Sequence, residues 1–95
     1  MNCSLKTQPS INKCGELKSI KVMCLNIQGM SQKESQLEVL LDSEKNIDIL
    51  CVCEHWHDES SMKYSNINGY KLISFYCRGP EGYGGTAIYA KKGTY

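Results

Sequence analysis

Asn26 and Glu54 are the two residues in this 95-residue chain whose types and positions suit them to joint chemistry. Each closes an apolar run, residues 19–27 (SIKVMCLNI) and 47–54 (IDILCVCE). Side chains alternate along a strand, so Val22, Cys24 and Asn26 share one face of the first run, and Leu50, Val52 and Glu54 one face of the second. Each of those faces is apolar until its last member. If the runs are neighbouring parallel strands, an amide and a carboxylate meet at one rim of a sheet. A carboxylate buried there needs a cation, a donor or water. A hard divalent ion suits it, because Mg²⁺ binds one or two carboxylates, keeps several waters and reaches substrate phosphates. The amide can donate to a phosphate, hold a water or orient the carboxylate. The plainer alternative is a glutamate facing solvent at a strand end and an asparagine beginning a turn.

The segment between the two runs decides whether they can be parallel. Gln28-Gly29-Met30-Ser31 breaks the first run, with Gly29 supplying the turn. Ser31 followed by Glu34 has the spacing of a capping box. Leu37, Leu40 and Leu41 follow at helical spacing, with Gln32, Lys33, Glu38, Asp42 and Lys45 on the wetter side, and Asn46 is a natural stop. Strand, helix, strand is the minimal crossover that makes parallel neighbours. The near-continuous apolar content of both runs predicts strands covered on both faces. Beyond Glu54, residues 70–76 and 86–90 read as a third and fourth strand, joined as a long antiparallel hairpin through the glycine-rich stretch 78–85. Residues 1–18 show no period and read as a flexible leader.

Other chemistries fit less well. Cys51, Cys53, His55 and His57 alternate, which spreads ligands along an extended segment instead of around a zinc tetrahedron. The glycines at 82, 84 and 85 lack the Lys-Ser/Thr of a phosphate-binding loop and precede a strand, not a helix. No Ser-His-Asp set with a strand-to-helix elbow can be assembled. Trp56 reads as a packing residue or a wall beside a substrate. His57, Arg78 and Tyr83 could touch a phosphate backbone but need no such explanation.

Eleven basic and ten acidic residues leave a net charge of +1, so no global field steers the chain toward nucleic acid or away from it. No run approaches the roughly 20 apolar residues of a membrane span, and the first residues lack the apolar core of a signal peptide. The expectation is an intracellular, non-secreted protein without a membrane partner, with nothing to choose between nucleus and cytoplasm. Six cysteines in a reducing compartment read mostly as small buried hydrophobes.

The order KVMCLNIQG (21–29), IDILCVCEHW (47–56) and GGTAIY (84–89) resembles the endonuclease/exonuclease/phosphatase superfamily. It is most similar to the apurinic-like endonuclease domains at the N-terminus of non-LTR retrotransposon (reverse transcriptase) proteins. The likeness spans about residues 19 to 93. It implies an α+β fold, the N-terminal part of a four-layer α/β/β/α sandwich of the DNase I-like kind, truncated, with 1–18 as leader and 19–95 as an incomplete domain. It further implies that Asn26 and Glu54 are catalytic and bind the metal, Mg²⁺ or alternatively Mn²⁺, and that DNA is the partner, with no small-molecule cofactor. The superfamily's tyrosine, its Asp-x-Asn pair and its late Asp and His have no counterpart here. The expectation is therefore a piece of a DNA-nicking phosphodiesterase that is inactive without the C-terminal half of the domain. A non-catalytic remnant or packing protein, and a fragment of an inositol or sphingolipid phosphatase, are the alternatives.

Overall fold

In the computed structural model, residues 2–11, 17–44, 46–78 and 83–93 are described. Five strands form one mixed sheet: β1 (Asn2–Ile11), β2 (Leu17–Asn26), β3 (Ile49–Cys53), β4 (Tyr70–Tyr76) and β5 (Thr86–Lys91), in the order β1-β2-β3-β5-β4. Helix α1 (Glu34–Glu44) connects β2 to β3, and the single turn α2 (Glu59–Met62) follows β3. The crossover through α1 leaves β2 and β3 parallel, as strand-helix-strand spacing predicts, and every other pairing is antiparallel. The architecture is α+β.

Register explains where the core lies. Cross-strand partners share a face, so Met23, Leu50 and Tyr89 form one row across β2, β3 and β5, and Leu25, Val52 and Ala87 the next. All six are buried, together with Leu37 and Leu41 of α1, Met62 of α2, and Met30, Ile47 and Ile67 of the connections. Fully burying one such leucine or methionine contributes roughly 1.5–3 kcal/mol. The Tyr89 hydroxyl enters this core because it donates to the Ser65 carbonyl at 3.0 Å; burial pushes its pKa up to about 12.

The opposite face corrects the expectation of strands covered on both sides. Its rows join Cys24, Cys51 and Ile88, and Asn26, Cys53 and Thr86, and these residues are half-buried or exposed. The sheet is not closed into a sandwich. The cysteines follow the same geometry. Cys3, Cys24 and Cys53 are exposed, Cys51 and Cys77 half-buried, and all five are free thiols, while Cys14 lies outside the described residues. Burial and the neighbouring Cys24 raise the pKa of Cys51, which disfavours the reactive thiolate.

Two local expectations also change. Residues 2–11, read as a leader without regular structure, pair along their whole length with β2. A ladder of backbone hydrogen bonds needs no apolar period, and an edge strand tolerates Pro9. The described side chains of β1 are exposed, which is why no alternation marks it. Helix α1 begins at Glu34, not beside Ser31: Lys33 N–H bonds the Met30 carbonyl at 2.9 Å, and Leu37 N–H bonds the Lys33 carbonyl at 3.0 Å. Glu34 accepts from the Ser65 hydroxyl at 2.8 Å instead of closing a box with Ser31. The capping box that forms is that of α2, between Asp58 and Ser61, and its hydrogen bonds hold the Asp58 carboxyl down at about 2. Among the described residues, no helix is long and apolar enough to cross a membrane.

Candidate functional site

Asn26 ends β2 directly across from Cys53, so Glu54 follows one residue beyond β3 at the same rim. Past the strands, three segments continue side by side. Ile27 N–H bonds the Cys53 carbonyl at 3.0 Å, Gly29 N–H the Glu54 carbonyl at 2.9 Å, and Met30 N–H the His55 carbonyl at 2.9 Å. On the other flank, Glu54 N–H bonds the Gly85 carbonyl at 2.7 Å and Trp56 N–H the Gly84 carbonyl at 3.0 Å. The rim is thus a backbone platform built from the ends of β2 and β3 and the entry to β5.

Left-handed backbone concentrates there. Gln28, Gly29, Glu54, Trp56, Gly84 and Gly85 all have φ between 50° and 98°. Glycine adopts this region freely, whereas glutamate, tryptophan and glutamine are held in it by the surrounding hydrogen bonds. The consequence reaches the predicted pair. The parallel register sets the Asn26 face against Cys51 and Cys53, not against Val52, so strict alternation would have sent Glu54 to the other side of the sheet. The left-handed turn at Glu54, φ 62°, breaks the alternation. Sequence periodicity could not show that turn.

Both predicted residues are half-buried, and no hydrogen bond joins their side chains. Asn26 Oδ1 is buried and accepts no hydrogen bond from the described residues. An acceptor in that state costs about 1–3 kcal/mol unless a water or an ion meets it. The Glu54 carboxylate accepts one hydrogen bond through Oε2, from the Trp56 indole N–H at 2.8 Å. A carboxylate oxygen and an unpartnered amide oxygen at one rim are a donor set suited to a hard cation. Among the described residues, no group of three His, Cys, Asp or Glu is placed to hold a metal ion.

Sequence reasoning missed the part played by His55. Its ring is fully buried, with Nδ1 accepting from His57 N–H at 2.9 Å and Nε2 lying 2.9 Å from the Tyr76 carbonyl. Because Nδ1 accepts, the proton sits on Nε2 and is donated to Tyr76. His55 therefore ties the rim to the end of β4. Gly85 lets it do so: a Cβ there would overlap the His55 ring and stand 2.9 Å from the Tyr76 carbonyl oxygen. The alternating Cys and His pattern gave no hint of this brace. A buried imidazole is visible only once β4 lies beside it.

His57 stacks on His55 with centroids 5.9 Å apart, and its Nε2 is buried without a partner among the described residues. Burial, then the neighbouring His55, push its pKa below the ordinary 6.5. The unfolded chain therefore takes up a proton on acidification that the folded chain refuses. The contribution of His57 to stability should be lost as pH drops from about 6.5 toward the lower folded value, and be fully present above 6.5. Thermal melts across that range should show the slope in the parent chain and a shallower one in His57→Gln.

No protein-family model matches the chain, and no curated protein matches it. Among solved structures, a crystal structure of an AP endonuclease (LMAP) from Leishmania major matches with a TM-score of 0.63 and 28% sequence identity, covering 79% of this chain. The fold matches that of an AP endonuclease. That places the chain's architecture with the endonuclease/exonuclease/phosphatase superfamily at the level of fold. The mixed sheet with helices against one face is consistent with a DNase I-like fold, and the uncovered second face with a truncated sandwich. The chain spans 25% of the length of that endonuclease.

Proposed function

We propose that this chain carries the first-sheet portion of the active site of a Mg²⁺-dependent phosphodiesterase acting on DNA, of the nicking kind found with non-LTR retrotransposons. The observation that supports this most is the buried, unpartnered Oδ1 of Asn26 at the rim where Glu54 emerges, in a chain whose fold matches an AP endonuclease. In this reading Glu54 and Asn26 hold the metal through a carboxylate and an amide oxygen. When bound, the ion supplies Lewis-acid stabilisation to phosphoryl oxygens. The Asn26 amide N–H₂ is free to donate to a phosphate oxygen as negative charge builds on it. In this reading both residues serve the metal and the phosphate, and the general base is a further residue.

The test uses the chain itself with Mn²⁺ as a paramagnetic stand-in, read by electron paramagnetic resonance. The parent should bind one ion. Glu54→Gln should weaken it by more than the roughly 10- to 100-fold typical of residues that merely support a ligand. Unchanged Mn²⁺ affinity in Glu54→Gln would remove Glu54 from the site and the proposal with it. Plasmid nicking with Mg²⁺ should stay at background for the chain alone.

A further inference from the structure

The proposed role of Glu54 leaves open what aims its carboxylate, and the rim contains a group built for that. We infer that Trp56 is the positioning residue of Glu54: its indole N–H occupies one carboxylate oxygen and leaves the other, Oε1, to face a hard cation as a single-oxygen ligand. This rests on the reading of Glu54 as a metal ligand.

Three observations converge on it. The first is the contact itself, Trp56 Nε1–H to Glu54 Oε2 at 2.8 Å, a charge-assisted bond within the short range of such contacts. The second is the backbone that makes the contact. Glu54 and Trp56 both sit in the left-handed region, φ 62° and 61°, and each donates its N–H to the strand-entry glycines, Gly85 and Gly84. Two non-glycine residues in that region, two positions apart, bring a carboxylate and an indole together where an extended strand would hold them side by side. The third is the clamp on the ring. A Cβ at Gly29 would stand 2.8 Å from Trp56 Cε3, so the loop after β2 lies directly against the indole. The Tyr83 ring meets it edge-on at 5.1 Å and 77°. Gly29 is in turn bonded through its N–H to the Glu54 carbonyl, so the loop that seats the indole also fixes the residue the indole holds.

Packing alone explains this poorly. Trp56 remains 38% exposed and is not part of the hydrophobic core, yet its one polar side-chain atom is committed to the Glu54 carboxylate. Outer hydrogen-bond partners orient metal ligands and fix which oxygen is offered. An acceptor already filled at Oε2 favours one-oxygen ligation, and an ion that demands near-octahedral geometry prefers that to a bidentate carboxylate.

The chain contains a single tryptophan, so its indole N–H gives one nuclear magnetic resonance signal that reports the contact without any metal. Glu54→Ala should move that signal upfield and speed its exchange with water. An unmoved signal would show that the contact is not formed in solution. For metal binding, Trp56 is replaced by 3-benzothienylalanine, which keeps the bicyclic shape and loses the N–H, alongside Trp56→Phe. With an unchanged thermal melt, the benzothienyl variant should bind Mn²⁺ about tenfold more weakly than the parent. If Trp56→Phe fails to fold, the isostere carries the result. Parent-like Mn²⁺ affinity in the isostere, with binding lost in Glu54→Gln, overturns the role of Trp56 and leaves Glu54 as a ligand. Affinity unchanged in Glu54→Gln overturns both.

Discussion

Gly85→Ala should remove about 2–5 kcal/mol of folding stability, a large share of what a small domain has. The added methyl overlaps the His55 ring and stands 2.9 Å from the Tyr76 carbonyl oxygen, and both neighbours are anchored: the ring by two hydrogen bonds, the carbonyl by its strand. Overpacking of a well-filled site typically costs about 1–3 kcal/mol. Alanine at φ 89° adds about 1–2 kcal/mol for the left-handed backbone. Native domains have a total stability of about 5–15 kcal/mol, and a short chain with one open sheet face belongs at the low end. Urea titration followed by circular dichroism should show a midpoint far below the parent's, or no folded baseline. A parent-like midpoint would mean that the ring is not packed on Gly85.

His55→Leu should cost nearly as much, by the opposite mechanism. Leucine fills similar space but leaves the Tyr76 carbonyl and the His57 N–H without the ring nitrogens that now serve them. Both contacts are part-buried, and each polar group left unmatched there costs up to about 1–3 kcal/mol. The same urea titration measures this. Combining Gly85→Ala with His55→Ala gives a sharper check, because removing the ring makes room for the new methyl. The double variant should be more stable than the two single losses predict, by about 0.5–3 kcal/mol, as expected for residues in contact. Simple additivity would deny the contact. The rim that carries Asn26 and Glu54 depends on this brace, so these variants should also blunt Mn²⁺ binding wherever they still fold.

Much of the architecture was legible in the residues. Residues 70–76 and 86–90 read as two strands joined as an antiparallel hairpin through a glycine-rich stretch, as β4 and β5 are, and the leucines of α1 lie on its buried side as their spacing predicts. The parallel β2–β3 pair followed from one helix between two apolar runs. What periodicity misread has one cause. Apolar content reports that a strand can be covered, not that it is, so the cysteine-bearing face looked internal although its described cysteines are half-buried or exposed. Edge strand β1 was invisible for the complementary reason: its place in the sheet rests on backbone hydrogen bonds that any side chain permits.

By itself, then, the sequence determined the strand-helix-strand connection and hence that Asn26 and Glu54 arrive at a common rim, because side-chain periods of two and 3.6 residues are written in the order of apolar residues. Only the tertiary structure decided how that rim is arranged. The left-handed turns at Glu54 and Trp56, the indole on the carboxylate and the imidazole wedged against Gly85 depend on contacts among the β2 loop, the end of β3 and the entry to β5. Those segments lie far apart along the chain, and the energy of such non-local contacts leaves no period in it.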